Sequence, residues 1–222
     1  MRRLWSGLFL SLALVSCGPW REPVARPSAR VSQQGLKAEE RFDTPNPRWE
    51  TFALPGSQAL FQVRDGALYG AVIPNRGYIW SLSQDYYRNT TIELTIQPAR
   101  AGQGSGFGLM CRANADGDGY YFVISSEGHF AILKATPAAA DPRPLVPWQT
   151  HPALRPGGAP NRLRVHCVND YLALWANDQF LADARDPDYG FGQLGLAVGA
   201  VGEAAWVSFD DLLIYEAALA PG

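Results

Sequence analysis

Soft-metal and redox chemistry have little to work with in this chain: 222 residues contain three cysteines, three histidines and two methionines. No two cysteines form a C-x-x-C pair, and His129, His151 and His166 lack metal-ligand spacing. Long basic runs are absent and the formal net charge is -2, so nucleic-acid binding has no electrostatic support. No G-x-S-x-G elbow exists, because Gln103 stands two residues before Ser105. Neither a phosphate loop nor a dinucleotide fingerprint is present. No strand carries the E-x-D-x-x-E spacing that sets a nucleophile and a general acid on one face. Glu93 is the only acidic residue in its strand. Helical periodicity is missing too, which excludes the α and α/β classes.

What remains is rich in turns and strands, with 22 glycines, 17 prolines and 12% aromatic residues. The stretch 104–134 organises the rest. Runs at 107–113, 120–125 and 129–133 are separated by Asn114-Ala115-Asp116-Gly117-Asp118-Gly119 and by Glu127-Gly128. Aromatic and β-branched runs between residues that tolerate positive φ read as an antiparallel meander. Asp65-Gly66 marks another hairpin between 59–63 and 67–73. In 90–97, Ile92, Leu94 and Ile96 face one way while Thr91, Glu93 and Thr95 face the other. Further strands are expected at 78–82, 161–168, 171–176, 180–184, 194–198 and 205–215. The Pro- and Ala-rich connection 137–160 is expected to hold at most an edge strand.

The N-terminus reads as an address. Met1-Arg2-Arg3 precedes an apolar run, 4–15, too short to span a bilayer comfortably. Leu14-Val15-Ser16-Cys17 resembles a bacterial lipobox. The expectation is a signal peptide over 1–16, lipid on Cys17 and a flexible tether to residue 40. A β-sandwich would then fill 41–217, with a short tail at 218–222. Such a protein is anchored to a membrane of the bacterial cell envelope. In an exported chain the remaining pair, Cys111 and Cys167, is expected to form a disulfide, since alternation turns both toward apolar faces.

Trp49, the Asp65-Gly66 hairpin, Gly108-Leu109-Met110-Cys111-Arg112, Gly119-Tyr120-Tyr121-Phe122-Val123-Ile124, Asn161-Arg162-Leu163-Arg164-Val165, Gly192-Gln193-Leu194-Gly195-Leu196 and Val207-Ser208-Phe209-Asp210-Asp211-Leu212 follow one another in a familiar order. Together they resemble the concanavalin A-like lectin/glucanase jelly roll, nearest the 3-keto-disaccharide hydrolase domain family. The resemblance covers about 49–215. It implies two packed antiparallel sheets, and it carries over no catalytic residue. Asn177-Asp178 stands where members usually have Asn-Gly.

Two constellations qualify as sites. Asn114, Asp116 and Asp118 resemble the start of a calcium loop, the one cofactor worth weighing. The twelfth position is Ser125 rather than a bidentate Glu, so a polar hairpin turn is the plainer reading. If Cys111 and Cys167 point inward, their neighbours point outward. On that reasoning Arg112, Arg164, His166 and Tyr121 form a ligand-binding face, with Trp80 and Trp175 as stacking platforms. The competing reading is an ordinary solvated sheet face above core tryptophans. The functional expectation is a non-catalytic, lipid-anchored module that binds a glycan or an envelope protein. An enzyme of the hydrolase type, with Glu93, Asp210 or Asp211 in a cleft, is one alternative. A structural module without ligand is the other.

Overall fold

The structure is a computed structural model and describes residues 25–221. The signal-peptide and lipidation readings, Cys17 included, lie outside the described residues. Fifteen strands follow one another with only a single 3-10 turn between them. They are β1 (Val31–Glu40), β2 (Phe52–Ala53), β3 (Ala59–Arg64), β4 (Ala67–Val72), β5 (Tyr78–Tyr87), β6 (Thr90–Arg100), β7 (Gly106–Ala113) and β8 (Gly119–Ile124). Then come β9 (His129–Ala135), β10 (Arg143–Thr150), β11 (Asn161–Val168), β12 (Tyr171–Ala176), β13 (Gln179–Arg185), β14 (Gly192–Gly199) and β15 (Ala205–Leu219).

Two antiparallel sheets result. A nine-stranded sheet runs β13-β12-β11-β6-β15-β4-β3-β2, with β1 paired to the second half of β15. A six-stranded sheet runs β10-β9-β8-β7-β14-β5. Turn chemistry fixes the hairpins. Asp65 (φ 51°) and Gly66 (φ 72°) both adopt the left-handed conformation that a two-residue hairpin matching strand twist requires. The β7–β8 turn is built on Asn114, whose Oδ1 accepts from the amides of Asp116 and Asp118, both at 3.0 Å.

The core lies between the sheets. Ile92, Leu94 and Ile96 of β6 and Leu163, Val165 and Cys167 of β11 meet Phe107, Leu109 and Cys111 of β7 and Phe122 and Ile124 of β8. Alternation along each strand delivers these side chains to one face. Cys111 and Cys167 are bonded across the core and so tie the two sheets together. Phe42 and Trp49 seal one flank edge-to-face at 5.6 Å.

One boundary is corrected. Residues 31–40 are not part of a tether: they form β1, pairing with β15 from Val31↔Leu219 to Glu40↔Leu212. Its side chains are mostly exposed, so the segment shows none of the apolar alternation that marks a strand in sequence. Backbone hydrogen bonds to the edge of β15 hold it instead. At the other end, β15 continues to Leu219, into the expected tail.

Candidate functional site

The ligand-binding face expected from the two cysteines does not assemble, and the disulfide explains why. Cys111 and Cys167 point into the core from opposite sheets, so their outward-pointing neighbours lie on opposite sides of the sandwich. Arg164, His166 and Trp175 share the outer face of the nine-stranded sheet. Tyr121 and Trp80 share the outer face of the six-stranded sheet. Arg112 belongs to neither. At φ 55° it breaks the alternation, and it is 3% exposed. Its guanidinium donates to the carbonyls of Arg88 (3.1 Å), Asn169 (2.6 Å) and Tyr189 (2.7 Å). Three loops are pinned by one side chain, which is left with no free fork for a ligand. Burial lowers its pKa from the ordinary arginine value.

On the nine-stranded face the polar groups satisfy one another. Glu93 pairs with Arg162 and, at 3.0 Å, with Arg164, which also reaches Asp178 at 2.9 Å. His166 Nδ1 lies 2.8 Å from Thr91 Oγ1, and its ring meets Trp175 edge-on at 4.5 Å. Burial, reinforced by Arg164, pushes the imidazole down to about 4. Asp211 accepts from Thr95 at 3.3 Å at a bulge of β15 on this same sheet. Glu93, Asp210 and Asp211 line no common cleft, although Asp211 borders an open hollow of about 240 Å³ with Glu39, Arg41 and Arg162.

The six-stranded face is built differently. Gly106 and Gly108 of β7 lie opposite Gly199 and Ala197 of β14, giving a floor of three glycines and one methyl group. Aromatic rings use that space. A Cβ on Gly106 would stand 2.3 Å from the Tyr78 hydroxyl, and one on Gly199 would stand 3.0 Å from the Tyr78 ring. Tyr78 and Tyr121 pack at 5.4 Å. The β7–β8 turn folds back over the same face. Gly117 (φ 85°) rests against the Trp80 ring and accepts a 2.7 Å hydrogen bond from the Tyr121 hydroxyl. Between this turn, residues 75–77 and residues 136–142 opens a cleft of about 440 Å³. Tyr78 and Trp80 stand half-buried in its wall, while Tyr121 is buried and serves as backing. Burial raises the pKa of the Tyr78 phenol, so it remains a neutral donor.

The rim of the cleft carries Asp116, Asp118, Asp141 and Arg76. Asp118 is tied to Asn114 at 3.0 Å and Arg76 to Gln58 at 2.7 Å. Among the described residues, the carboxylates of Asp116 and Asp141 meet no cation and no side-chain donor. The calcium reading of Asn114, Asp116 and Asp118 gains nothing from this geometry, because both functional ends of Asn114 are engaged in its own turn. No group of three metal-competent side chains clusters among the described residues.

Sequence reasoning reached Trp80, Tyr121, Asp116 and Asp118 but missed Tyr78, Asp141 and the glycine floor. A signal was available. β7 and β8 are buried at every position, and their sequences, GFGLMCRA and GYYFVI, do not alternate. A strand that is apolar on both sides is covered on both sides.

Another buried cluster sits between the sheets beside the disulfide. Lys134, 1% exposed, donates to both oxygens of Asp186 (2.7 and 2.8 Å) and to Asp188. The Tyr120 hydroxyl donates to Asp186 at 2.7 Å. Burial disfavours the Asp186 charge, yet these donors outweigh it and leave the carboxyl below its ordinary value. The cluster pins the β13–β14 connection.

Neither a protein-family model nor a curated protein matches the chain. Solved structures do. A carbohydrate-binding module, CBM66, from Bacillus subtilis superposes with a TM-score of 0.61 at 20% identity, covering 76% of this chain and 96% of the module. A Bacillus subtilis protein of unknown function with a galectin-like fold gives 0.64 at 10% identity over 85% and 99%. The catalytic domain of an endo-1,3-beta-glucanase (laminarinase) from Thermotoga petrophila gives 0.60 at 11% over 83% and 99%. At these identities the likeness is one of fold: the protein is a jelly-roll β-sandwich of two antiparallel sheets, the architecture expected from its sequence.

Proposed function

We propose that the cleft on the six-stranded face binds a glycan, and that the protein displays it from a lipid-anchored position in a bacterial envelope. The observation that carries the reading is the pairing of half-buried aromatic walls, Tyr78 and Trp80, with two rim carboxylates, Asp116 and Asp141, that find no partner among the described residues. Aromatic faces suit the apolar C–H faces of sugars, and free carboxylate oxygens accept from sugar hydroxyls. Three acidic side chains against one arginine would repel a polyanion. The class favoured is therefore a neutral or amine-bearing saccharide, not a uronic or sulfated one. The carbohydrate-binding and glucan-cleaving proteins among the structural neighbours support a carbohydrate role. Lipid attachment rests on the Leu14-Val15-Ser16-Cys17 motif.

The test is a glycan array and titration calorimetry with the full chain in detergent. Saturable binding to neutral glycans, weakened about tenfold by Trp80→Ala and unchanged by Trp175→Ala, is the expected result. Binding lost with Trp175→Ala or Arg164→Ala but kept with Trp80→Ala would move the site to the other face and refute the reading. For the anchor, a clickable palmitate fed to an expressing bacterium should label the wild type and not Cys17→Ser.

A further inference from the structure

At one end of the sandwich two exposed aromatic rings lie against each other. Tyr86, near the end of β5, is 56% exposed, and Phe191, just before β14, is 51% exposed. Their rings stack at 5.4 Å. Arg88, in the β5–β6 turn, places its guanidinium 5.1 Å from the centre of the Phe191 ring. No other two exposed aromatic side chains among the described residues stack in this way. The frame beneath them is fixed: the Arg112 guanidinium donates to the carbonyls of Arg88 (3.1 Å) and Tyr189 (2.7 Å). One buried side chain thus joins the turn that carries Arg88 to the connection that carries Phe191. Two apolar rings held outward in water add little to the fold through their outer faces, so they mark a surface that something else covers.

The unpaired charge at this patch is positive. Asp85, Asp170 and Asp188 around it are paired with Arg48, Arg185 and Lys134. Asp183 accepts from the Ser28 amide at 2.6 Å and from the Tyr171 hydroxyl at 3.0 Å. Arg88 and the exposed Arg26 and Arg30 form no ion pair among the described residues.

The chain enters the domain at this same end. β1 begins at Val31↔Leu219, beside the stretch of β15 where Glu216 faces Thr90, the first residue of β6. The Ala217 amide donates to the Asn89 carbonyl at 3.2 Å, and the Ala220 amide donates to the Arg30 carbonyl at 2.9 Å. A lipid on Cys17 is therefore joined to the end that carries Tyr86, Arg88 and Phe191. The opposite end, where Trp206 faces Arg100, points away from it.

We infer that this end is a membrane-docking surface, where Tyr86 and Phe191 sit among the headgroups of the bilayer that holds the lipid and Arg88 pairs with an anionic phosphate. The inference rests on the lipid-anchor reading and deepens it. Tyrosine rings are at home at headgroup level, and a guanidinium suits phosphate. The anchor keeps the bilayer close, so even a small patch is engaged. β5 runs from the patch to Trp80, which holds the glycan cleft farther from the bilayer.

The experiment places the photoreactive residue p-benzoylphenylalanine at Tyr86, Phe191 or Trp206 of the full chain, expressed in a bacterium fed clickable palmitate. The purified protein is reconstituted in vesicles of phosphatidylethanolamine and phosphatidylglycerol and irradiated, and adducts are read by mass spectrometry. All three side chains are exposed, so the replacements should leave the melting temperature unchanged. Phospholipid adducts are expected at 86 and 191 and not at 206. Arg88→Ser should lower the yield at 191 by up to about fivefold, and less when phosphatidylcholine replaces phosphatidylglycerol. A palmitate-labelled protein with no lipid adduct at 86 and 191, or with an equal one at 206, overturns the docking surface and leaves the anchor standing. Cross-links between two copies in place of lipid make the patch a dimer contact and overturn it as well. Glycan affinity lost with Phe191→Ser in detergent assigns the patch to saccharide and also overturns it. A protein that takes up no palmitate overturns the anchor and the docking surface together.

Discussion

The two outer faces of this sandwich hold similar side chains and use them in opposite ways. On the nine-stranded sheet, Glu93, Arg162, Arg164, Asp178, His166 and Trp175 are partnered with one another or with Thr91. On the six-stranded sheet, Tyr78, Trp80 and Trp148 stand over glycines, while the side-chain oxygens of Asp116 and Asp141 find no partner among the described residues. Polar composition alone would favour the first face as a site. Polar satisfaction favours the second, because a group already paired must give up that partner to bind a ligand.

If this contrast is right, substitutions in the scaffold move stability and leave binding alone. Those on the six-stranded face should do the reverse. The largest expected effect lies between the faces. Lys134→Met leaves buried Asp186 with only Arg143, at 3.5 Å, as a cation and should cost about 3 kcal/mol in urea unfolding, with glycan affinity of the folded protein unchanged. Lost affinity at full folding would join that cluster to the site. Opening the disulfide with paired Cys111→Ala and Cys167→Ala should cost about 2–4 kcal/mol and lower the urea midpoint.

His166 gives a pH signature. Its folded pKa of about 4 lies below the ordinary value of 6.5, so the unfolded chain binds the extra proton first as pH falls. Stability should therefore be complete above about 6.5 and decline down to about 4, by on the order of 2–3 kcal/mol. His166→Gln should flatten this part of the pH–stability curve. A curve that declines as before would place the titrating group elsewhere. The smallest effect on folding belongs to the rim. Asp141→Asn should change stability by less than about 0.5 kcal/mol, as surface substitutions do. On an array the same change should relax the bias against acidic glycans, and an unaltered bias would remove Asp141 from the recognition surface.

The sequence showed the scaffold far more clearly than the site. The hairpin at Asp65-Gly66, the alternation of β6 and the inward cysteines are local patterns, and each emerges in the fold as read. β1 was hidden because an edge strand held by backbone bonds needs no apolar face. The site was half visible. Trp80 and Tyr121 stand out as residue types, but only packing shows that the Gly106–Gly199 floor gives Tyr78 its place. Arg112 misled because alternation assigns it outward, and a single left-handed residue cancels that rule. The grouping with Arg164 and His166 failed for a topological reason, since sequence does not say which strands share a sheet.

The pairing of β1 also sets a length scale. With 31–40 bound to β15, and the Ser28 amide donating to Asp183 at 2.6 Å, the chain is already held by the domain at residue 28. A lipid on Cys17 would then leave only residues 18–27 as a leash, with a contour of about 35 Å. The domain would work within roughly its own diameter of the bilayer, where it meets surface-bound polymer rather than distant targets. Inserting a Gly-Ser spacer after Pro27 would extend that radius without touching the fold.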